Sequence, residues 1–312
     1  MRRVFLLFMP CLAGMATFCD IAYAKQDEYQ WSFSPVLGIH APGIKVLNEG
    51  LFRAPLTYQA DIIVRDAPVR TDVLAFKNPL PSINYAPLAG VEFQWKLDNK
   101  NSFLIGGSTW EGASESTVNG RFPIQGYTDP SGNLPSVRND RRAVLSYNEF
   151  FLGWKHNAIS VPDKYNLYFR LSLHEVFDVG YREDWVFLYL DGPAATFKKI
   201  FVIESKATGI LMLQPGIGGE IFLKKWLSLG FETSYSYGLR KFTFRNNNLK
   251  SDFLPTDGVV MYAPARPNPR VDGISDSEDG NLEYQAQDGS GYQKLRLSFD
   301  GWKALFKVNI YY

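Results

Sequence analysis

The chain has 312 residues, and its 33 lysine and arginine residues nearly balance its 32 aspartate and glutamate residues. This near-neutral charge gives no support to nucleic acid as a partner, because nucleic-acid-binding domains carry clusters of basic residues. Both cysteines lie within the first 19 residues, so the rest of the chain can form neither a disulfide framework nor a thiol site.

Residues 1–24 have the three-part pattern of a secretory signal peptide. Two arginines precede an apolar run from Val4 to Cys19, and the motif Ala22-Tyr23-Ala24 follows with small residues where a signal peptidase cleaves. The run contains a proline and a glycine and is shorter than the ~20 apolar residues of a membrane-spanning helix. We therefore expect cleavage after Ala24, which leaves residues 25–312 as a single exported domain.

The exported part begins with an alternation of apolar and polar residues, which is typical of a β-strand with one apolar face. In the stretch 29–40 the apolar side carries Tyr29, Trp31, Phe33, Leu37 and Ile39. The same period of two recurs at 84–97, 165–174 and 226–238, and less regularly at 102–111, 142–156, 206–223 and 291–312. The sequence therefore predicts eight strands.

The connections between the predicted strands are alternately long and short. Short polar turns occupy 98–101, 157–163 and 224–225, whereas the longer connections cover about 41–83, 112–141, 177–205 and 247–290. Outer-membrane barrels have this alternation, with tight periplasmic turns and long outer loops. We predict an all-β fold, a transmembrane antiparallel up-and-down β-barrel of eight strands, with ten or twelve as the alternatives. The mixed periodicity of 41–54 and 183–205 indicates a short helix or strand extensions above the membrane.

Three segments are expected to deviate from regular alternation. The segments 102–111 and 142–156 are expected to change parity through a β-bulge. At Asp300-Gly301 we also expect a bulge, which would shift the apolar face from Leu295, Leu297 and Phe299 to Trp302 and Ala304. The alternative is a type I′ hairpin at this Asp-Gly pair, which would split 291–312 into two strands and require a further strand near 280–287.

A soluble β-sandwich is the competing interpretation of these strands, but its strands average only ~5–6 residues. Here the alternation persists for ten or more residues, and tryptophan and tyrosine flank the aliphatic positions, as at membrane interfaces. The residues that we assign to these interfaces are Trp31, Trp95, Tyr235, Tyr237, Trp302 and Tyr312.

The opposite face of the strands carries charged residues, which a barrel would bring into one lumen. They are Glu92, Lys96, Arg170, Glu220, Glu232 and Lys307. An eight-stranded barrel has an interior that is only just wide enough to be filled by side chains. We therefore expect these charges to pair with one another and to plug the lumen.

Residues 213–238, LQPGIGGEIFLKKWLSLGFETSYSYG, resemble a common hairpin of the small outer-membrane β-barrel superfamily of Gram-negative bacteria. The segment WKALFKVNIYY at 302–312 is similar to the β-signal by which such porin-like barrels are recognised for insertion. The resemblance implies location in the Gram-negative outer membrane. It also implies contact with lipids and lipopolysaccharide, and with the barrel-assembly machinery during insertion. The superfamily includes adhesins, structural proteins, channels and a few enzymes, so the fold does not determine the function.

Two sets of residues are candidates for a chemical site. Ser172 and His174 share the predicted inward face, as a nucleophile and a base could, but Glu175 points to the other side and cannot orient the imidazole. A hydrogen-bonded lumen histidine is therefore the favoured interpretation, and we predict no catalytic site. The acidic residues Asp272, Asp276, Glu278 and Asp279 do not have the spacing of a calcium loop. We expect a solvated loop there, with weak cation bridging as the alternative, and no cofactor.

These observations predict a non-enzymatic integral outer-membrane barrel with large surface loops for structural or binding roles. A narrow channel for small or apolar solutes is the first alternative. An outer-membrane lipid hydrolase that uses Ser172 and His174 is the second.

Overall fold

The computed structural model describes residues 29–54, 56–62, 70–122, 134–191, 195–207, 209–252, 259–262, 283–285 and 292–312. Its regular elements are, in chain order, β1 (Trp31–Pro42), α1 (Lys45–Glu49), a 3-10 turn (Leu51–Arg53), β2 (Leu56–Ile62), β3 (Arg70–Phe76), β4 (Ala86–Lys96), β5 (Asn101–Arg121), β6 (Ser136–Val161), β7 (Tyr165–Tyr189), β8 (Lys198–Ala207), β9 (Ile210–Lys224), β10 (Leu227–Gly238), β11 (Phe242–Ser251), β12 (Val259–Tyr262), β13 (Glu283–Gln285), β14 (Tyr292–Lys294), β15 (Arg296–Leu297) and β16 (Gly301–Tyr311). Among these residues, no helix has the length and hydropathy of a membrane-spanning helix.

Eight of the strands close into an antiparallel ring in the order β1, β4, β5, β6, β7, β9, β10, β16. The ring is closed by the pairing of β1 with β16, in which Ser32 is opposite Tyr311 and Pro42 is opposite Gly301. The prediction of an eight-stranded up-and-down barrel is confirmed. The remaining strands form the side sheet β8-β11-β15, the three-stranded sheet β12-β2-β3 and the hairpin β13-β14.

Large apolar side chains cover the outside of the ring. Leu37, Phe169, Ile217 and Phe306, on four different strands, are each about half exposed. A soluble protein does not expose apolar residues in a continuous band of this size, whereas a barrel in a lipid bilayer requires one. The chain is therefore a transmembrane β-barrel of the outer-membrane type.

Strands β5, β6 and β7 continue far beyond the length needed to cross a membrane. They contain 21, 26 and 25 residues, whereas a transmembrane strand needs ~9–11. At ~3.3 Å per residue β6 is about 85 Å long. The expectation of long loops at 112–141 and 177–205 is therefore wrong for most of these residues. They extend the sheet, as the alternative for 183–205 indicated.

The strand extensions form a separate part of the barrel, which we call the extended section: residues 110–121, 136–147, 179–189, 198–207, 242–251 and 295–299. The rest of the eight-stranded ring is the membrane section. At the boundary, the neighbour of β7 changes from β9, up to Val176, to β8, from Val179. A bulge in β7 accompanies this change, and Asp178 within it has a positive φ of 50°.

The bulges expected elsewhere are absent from the described strands. In β5 the buried positions are even-numbered from Ser102 to Ser114, and in β6 they are odd-numbered from Val137 to Phe151. Odd positions are also buried on both sides of Asp300-Gly301, where Leu295, Leu297 and Phe299 share the inner side with Lys303 and Lys307. The inner face therefore changes from polar to apolar without any change of parity. The hairpin alternative is also wrong, because β16 pairs with β1 and β10.

Two chain segments fill the extended section, residues 43–54 and 76–86, which we call the plug. Its buried side chains include Leu47, Phe52 and Leu80, and they pack against residues of the surrounding strands such as Trp110 and Phe187. Removing this much apolar surface from water stabilises the section by roughly 1.5–3 kcal/mol for each large side chain. The plug thus forms a hydrophobic core inside the barrel beside the membrane section.

Candidate functional site

The lumen of the membrane section contains four charged side chains in mutual contact. Nη1 of Arg170 donates to Glu92 at 2.6 Å and to Glu232 at 3.2 Å. Nζ of Lys307 lies 3.0 Å from both carboxylate oxygens of Glu92 and 2.7 Å from Glu232. We call this set the central quartet. Its members come from four strands and are all at least 96% buried.

A second cluster surrounds Glu220 near the short-turn end of the lumen. Its carboxylate accepts hydrogen bonds from Lys155 at 3.2 Å, Asn166 at 2.7 Å, Asn309 at 2.9 Å and the hydroxyl of Tyr311 at 2.7 Å. A carboxylate has acceptor sites for about four donors. Glu220 is therefore satisfied within the protein.

The third cluster contains Ser172 and His174. The hydroxyl of Ser172 lies 2.8 Å from Nε2 of His174, and Nδ1 of the same ring lies 3.2 Å from Oε2 of Glu149, without the alignment of a hydrogen bond. Glu149 also accepts from Lys303 at 2.7 Å and from Ser108 at 2.6 Å. The serine, histidine and carboxylate thus lie in the order of a catalytic triad.

The lumen is electrically balanced and almost completely filled. The three clusters contain four carboxylates (Glu92, Glu149, Glu220 and Glu232) and four cations (Lys155, Arg170, Lys303 and Lys307), all buried. The void between the central quartet and the His174 cluster has a volume of about 20 Å³. A void of this size holds about one water molecule. The void between these two clusters is therefore too small to hold a solute larger than water.

Glycine residues of β9 allow the large lumen side chains to fit. A Cβ atom on Gly218 would lie 2.5 Å from the ring of Tyr168 and 2.8 Å from the carbonyl oxygen of Phe231. The hydroxyl of Tyr168 donates to Glu232 at 3.2 Å. The glycine-rich sequence of β9 therefore provides the space in which the central quartet is packed.

Above the lumen, Arg141 of β6 binds both segments of the plug. Its guanidinium donates to the carbonyl oxygens of Leu51 and Phe52 at 3.0 Å and of Asn78 at 2.7 Å. Nε of Arg141 also donates to Glu183 at 2.6 Å, and both side chains are fully buried. The carbonyl oxygens of Leu51 and Phe52 also accept the backbone N–H groups of Ala54 and Leu80, so the arginine adds charge-assisted hydrogen bonds that join the two plug segments to β6.

The structure brings together five of the six charges predicted to lie in the lumen: Glu92, Arg170, Glu220, Glu232 and Lys307. Lys96 is half-buried at the short-turn end, where it lines a cavity. Sequence reasoning missed Glu149 of β6, which approaches His174. Glu175 faces outward, as the alternation along β7 predicted. The signal was available, because regular alternation along β6 places residue 149 on the same inner face as Lys155.

The predicted interface aromatics lie at the two ends of the apolar band. Trp31, Trp95 and Tyr312 are at the short-turn end, where the rings of Trp31 and Trp95 stack at 5.2 Å. At the other end, the ring of Trp302 lies 5.3 Å from that of Tyr235, which in turn lies 5.7 Å from that of Tyr237. Such girdles are typical of the two membrane interfaces.

The acidic candidates Asp272, Asp276, Glu278 and Asp279 lie outside the described residues. Within the described part of the chain, no three histidine, cysteine or acidic side chains are arranged to hold a metal ion.

The turn at 98–101 is fixed by its own hydrogen bonds. The carboxylate of Asp98 accepts from the side chain of Asn101 at 2.8 Å and from the backbone N–H groups of Lys100 and Asn101 at 2.7 and 2.8 Å. The side-chain bond of Asn101, followed by the two backbone bonds, lowers the pKa of Asp98 below its ordinary value. The turn therefore holds a fixed shape at this end of the barrel.

No protein-family model matches the sequence, and no curated protein sequence is significantly similar to it. Among solved structures, the crystal structure of the outer membrane protease OmpT from Escherichia coli aligns with 94% of this chain and 99% of that chain, at 10% identity and a TM-score of 0.27. A Pseudomonas aeruginosa FadL homologue aligns with 91% of this chain and 90% of that chain, at 8% identity and a TM-score of 0.19. At these values neither similarity supports an inference about activity. The closed ring and its apolar outer surface carry the assignment as an outer-membrane β-barrel.

Proposed function

We propose that the protein is a non-conducting, non-enzymatic barrel of the Gram-negative outer membrane, exported by its cleaved signal peptide. On this proposal it contacts lipopolysaccharide, and its extended section is a rigid surface platform for structural or binding roles. The observation that carries the proposal is the double closure of the interior. Paired charges fill the membrane section, and the apolar plug fills the extended section.

The filled interior disfavours the channel alternative. A solute would have to displace the central quartet, in which each charge is held by at least two partners. Separating buried ion pairs without replacing their partners costs several kcal/mol for each ion. The solute would also have to displace the plug, which Arg141 holds through hydrogen bonds to three carbonyl groups.

The outer surface of the extended section supports a platform in water. Its outward side chains form exposed ion pairs between neighbouring strands, such as Arg142 with Glu115 at 3.1 Å and Arg182 with Glu204 at 2.9 Å. The hydrogen bonds and charge of Asp184, together with the charge of Glu204, raise the pKa of Arg182 above its ordinary value. Surfaces of this kind on a rigid scaffold are common places for recognition.

Closure can be tested with single cysteines, because residues 25–312 contain none. We expect Ser172→Cys, in the lumen, to resist a water-soluble maleimide in the folded protein and to react after unfolding. The matched control is Ser160→Cys at the exposed short-turn end, which should react in both states. Rapid labelling of the lumen position in the folded protein would contradict the proposal.

Conductance measurements provide the second test. We expect the refolded chain to give no stable conducting state in planar bilayers, once its heat-modifiable gel mobility has shown that it is folded. Steady single-channel currents from such protein would favour the narrow channel instead.

The hydrolase alternative is supported by the order of Ser172, His174 and Glu149, but the site is sealed. All three side chains are at least 96% buried, and the adjoining void of about 20 Å³ cannot admit an acyl ester. We expect no change in lipid A or phospholipid masses on overexpression. A change that His174→Ala abolishes would establish the enzyme in place of the proposed role.

A further inference from the structure

A cavity of about 280 Å³ lies at the short-turn end of the barrel, below the Glu220 cluster. The turn residues Asn99, Lys100 and Pro162 are at its rim, and Glu220 and Ser32 are among the residues of its inner wall. Its volume equals roughly nine waters at about 30 Å³ each. It is therefore large enough for a ligand the size of a monosaccharide.

Two hydroxyl groups among the lining residues are buried and have no hydrogen-bond partner among the described residues. They belong to Tyr29 and Ser32, whose side chains are 4% and 2% exposed. Oδ1 of Asn157, on the opposite wall, is also buried without a donor. Buried polar groups are paired in most proteins, and each exception requires a physical explanation. A bound molecule with several hydroxyl groups would supply both the acceptors and the donor that are missing.

The charge of the cavity favours an anionic ligand. Lys96 and Lys100 line it, and neither forms an ion pair with another described residue. The carboxylate of Glu220 is already satisfied by Lys155 and four neutral donors. Two positive charges at the cavity therefore remain available for a carboxylate, which Lys binds through charge-assisted hydrogen bonds.

Aromatic rings complete one wall. The ring of Tyr311 lies 6.2 Å from that of Tyr29 and 5.6 Å from that of Phe222, and all three residues line the cavity. The negative face of an aromatic ring attracts weakly positive C–H groups, such as those on one side of a sugar ring. Aromatic rings, amides, hydroxyls and lysines together match the chemistry of a sugar acid.

We propose that this cavity binds a carboxylated sugar of monosaccharide size, with Lys96 and Lys100 at the carboxylate and Ser32 and Tyr29 at hydroxyl groups. The cavity is the short-turn end of the lumen, outside its closed central part, and its proposed role does not depend on the proposed surface role. Outer-membrane barrels have their short turns in the periplasm, so we infer that the cavity opens to the periplasm. The ligand is then a free sugar acid, or a unit of a cell-wall glycan chain whose sugar carboxylate is free because the stem peptide has been removed.

The test is calorimetric titration of protein extracted from membranes into detergent. The probe is N-acetylmuramic acid, and N-acetylglucosamine, which lacks the carboxylate, is its neutral match. We expect saturable binding of the acid, about tenfold tighter than that of the neutral sugar. Equal affinity for the two sugars, or no saturable heat from the acid, would overturn the proposal.

Variants distinguish recognition from a structural effect. Lys96→Gln combined with Lys100→Gln should weaken binding of the acid by about tenfold. Lys225→Gln, in the neighbouring turn and outside the cavity lining, should leave it unchanged. Ser32→Ala should weaken binding several-fold while unfolding stability stays the same or rises, because it removes a buried hydroxyl that has no partner. If the double lysine variant bound N-acetylmuramic acid with the affinity of the wild-type protein, the proposed binding site would be wrong.

The source of the ligand is decided by co-sedimentation with isolated cell-wall sacculi from which an amidase has removed the stem peptides, so that the carboxylates of the glycan are free. Sedimentation that is lost in the double lysine variant would identify the polymer as the ligand. Binding of N-acetylmuramic acid without sedimentation would identify a free sugar acid, with the same site and the same chemistry.

Discussion

Neutralising Glu92 should destabilise the barrel strongly, because it unbalances the central quartet. In the variant Glu92→Gln, Arg170 and Lys307 would share the single carboxylate of Glu232, and one buried positive charge would have no counterion. The lost contacts are those at 2.6 Å to Arg170 and 3.0 Å to Lys307, between side chains at most 4% exposed. Removal of one partner from a buried ion pair costs about 3–5 kcal/mol. We expect a loss of this size in the free energy of unfolding.

The double variant Glu92→Gln with Lys307→Gln tests the physical cause. It restores neutrality, because Arg170 and Glu232 remain paired at 3.2 Å. The loss in the double variant should therefore be smaller than the sum of the two single losses, by about 1–3 kcal/mol. Glu115→Gln is the matched exposed control, since its partner Arg142 is more than half exposed. That change should cost at most about 1 kcal/mol.

The assay is urea unfolding of the refolded chain in micelles, followed by tryptophan fluorescence and by heat-modifiable gel mobility. The free energy of unfolding falls linearly with urea concentration, so midpoints at equal slope report stability differences. Two results would refute the reasoning. The first is that Glu92→Gln lowers the free energy of unfolding no more than Glu115→Gln does. The second is that the double variant loses as much unfolding free energy as the two single variants lose together.

The remaining predictions concern the plug and the Glu220 cluster. Arg141→Met should release the plug, lower the unfolding free energy by about 3–5 kcal/mol and speed hydrogen exchange at residues 43–54. Arg142→Met, one position along and outward-facing, should do neither, and equal exchange in the two variants would contradict this role. Tyr311→Phe should cost about 1–3 kcal/mol in urea unfolding, because it removes a half-buried donor at 2.7 Å to a buried carboxylate. Tyr312→Phe, whose side chain is half exposed, should be close to neutral, and an equal loss from both would contradict the assignment.

The outer face of the membrane section could be predicted from the sequence because lipid imposes one simple rule on it. Every second residue must be apolar over the thickness of the bilayer, and the segments 84–97 and 165–174 follow this rule without interruption. The antiparallel up-and-down order of the barrel strands followed from the alternation of short and long connections between them. These features depend on local sequence alone, so a single chain was sufficient.

The extended section could not be predicted in the same way, because its inner face packs against distant segments of the chain. The alternation predicts that Leu295, Leu297 and Phe299 face lipid, yet they are buried in the hydrophobic core that also contains the plug. An apolar residue in an alternating strand faces either a hydrophobic core or lipid, and the alternation alone does not show which of the two it faces. The contact of Glu149 with His174 likewise depends on the register of two neighbouring strands, whereas the sequence of β7 alone offers only Glu175, which faces outward as expected.

The inversion of polarity across the sheet marks where the membrane ends on each long strand. Along β6, the outward residues change from Phe150 and Leu152 to Arg142 and Arg138, while the inward residues change from Glu149 to Tyr147 and Leu145. Both changes occur within a few residues and without a change of parity. In lipid the outer face of the strand must be apolar, and the polar residues face the lumen. In water the outer face is polar, and the apolar residues face inward and form a hydrophobic core. The same strand can serve both environments because the plug supplies, beyond the bilayer, the apolar partner that lipid supplies within it.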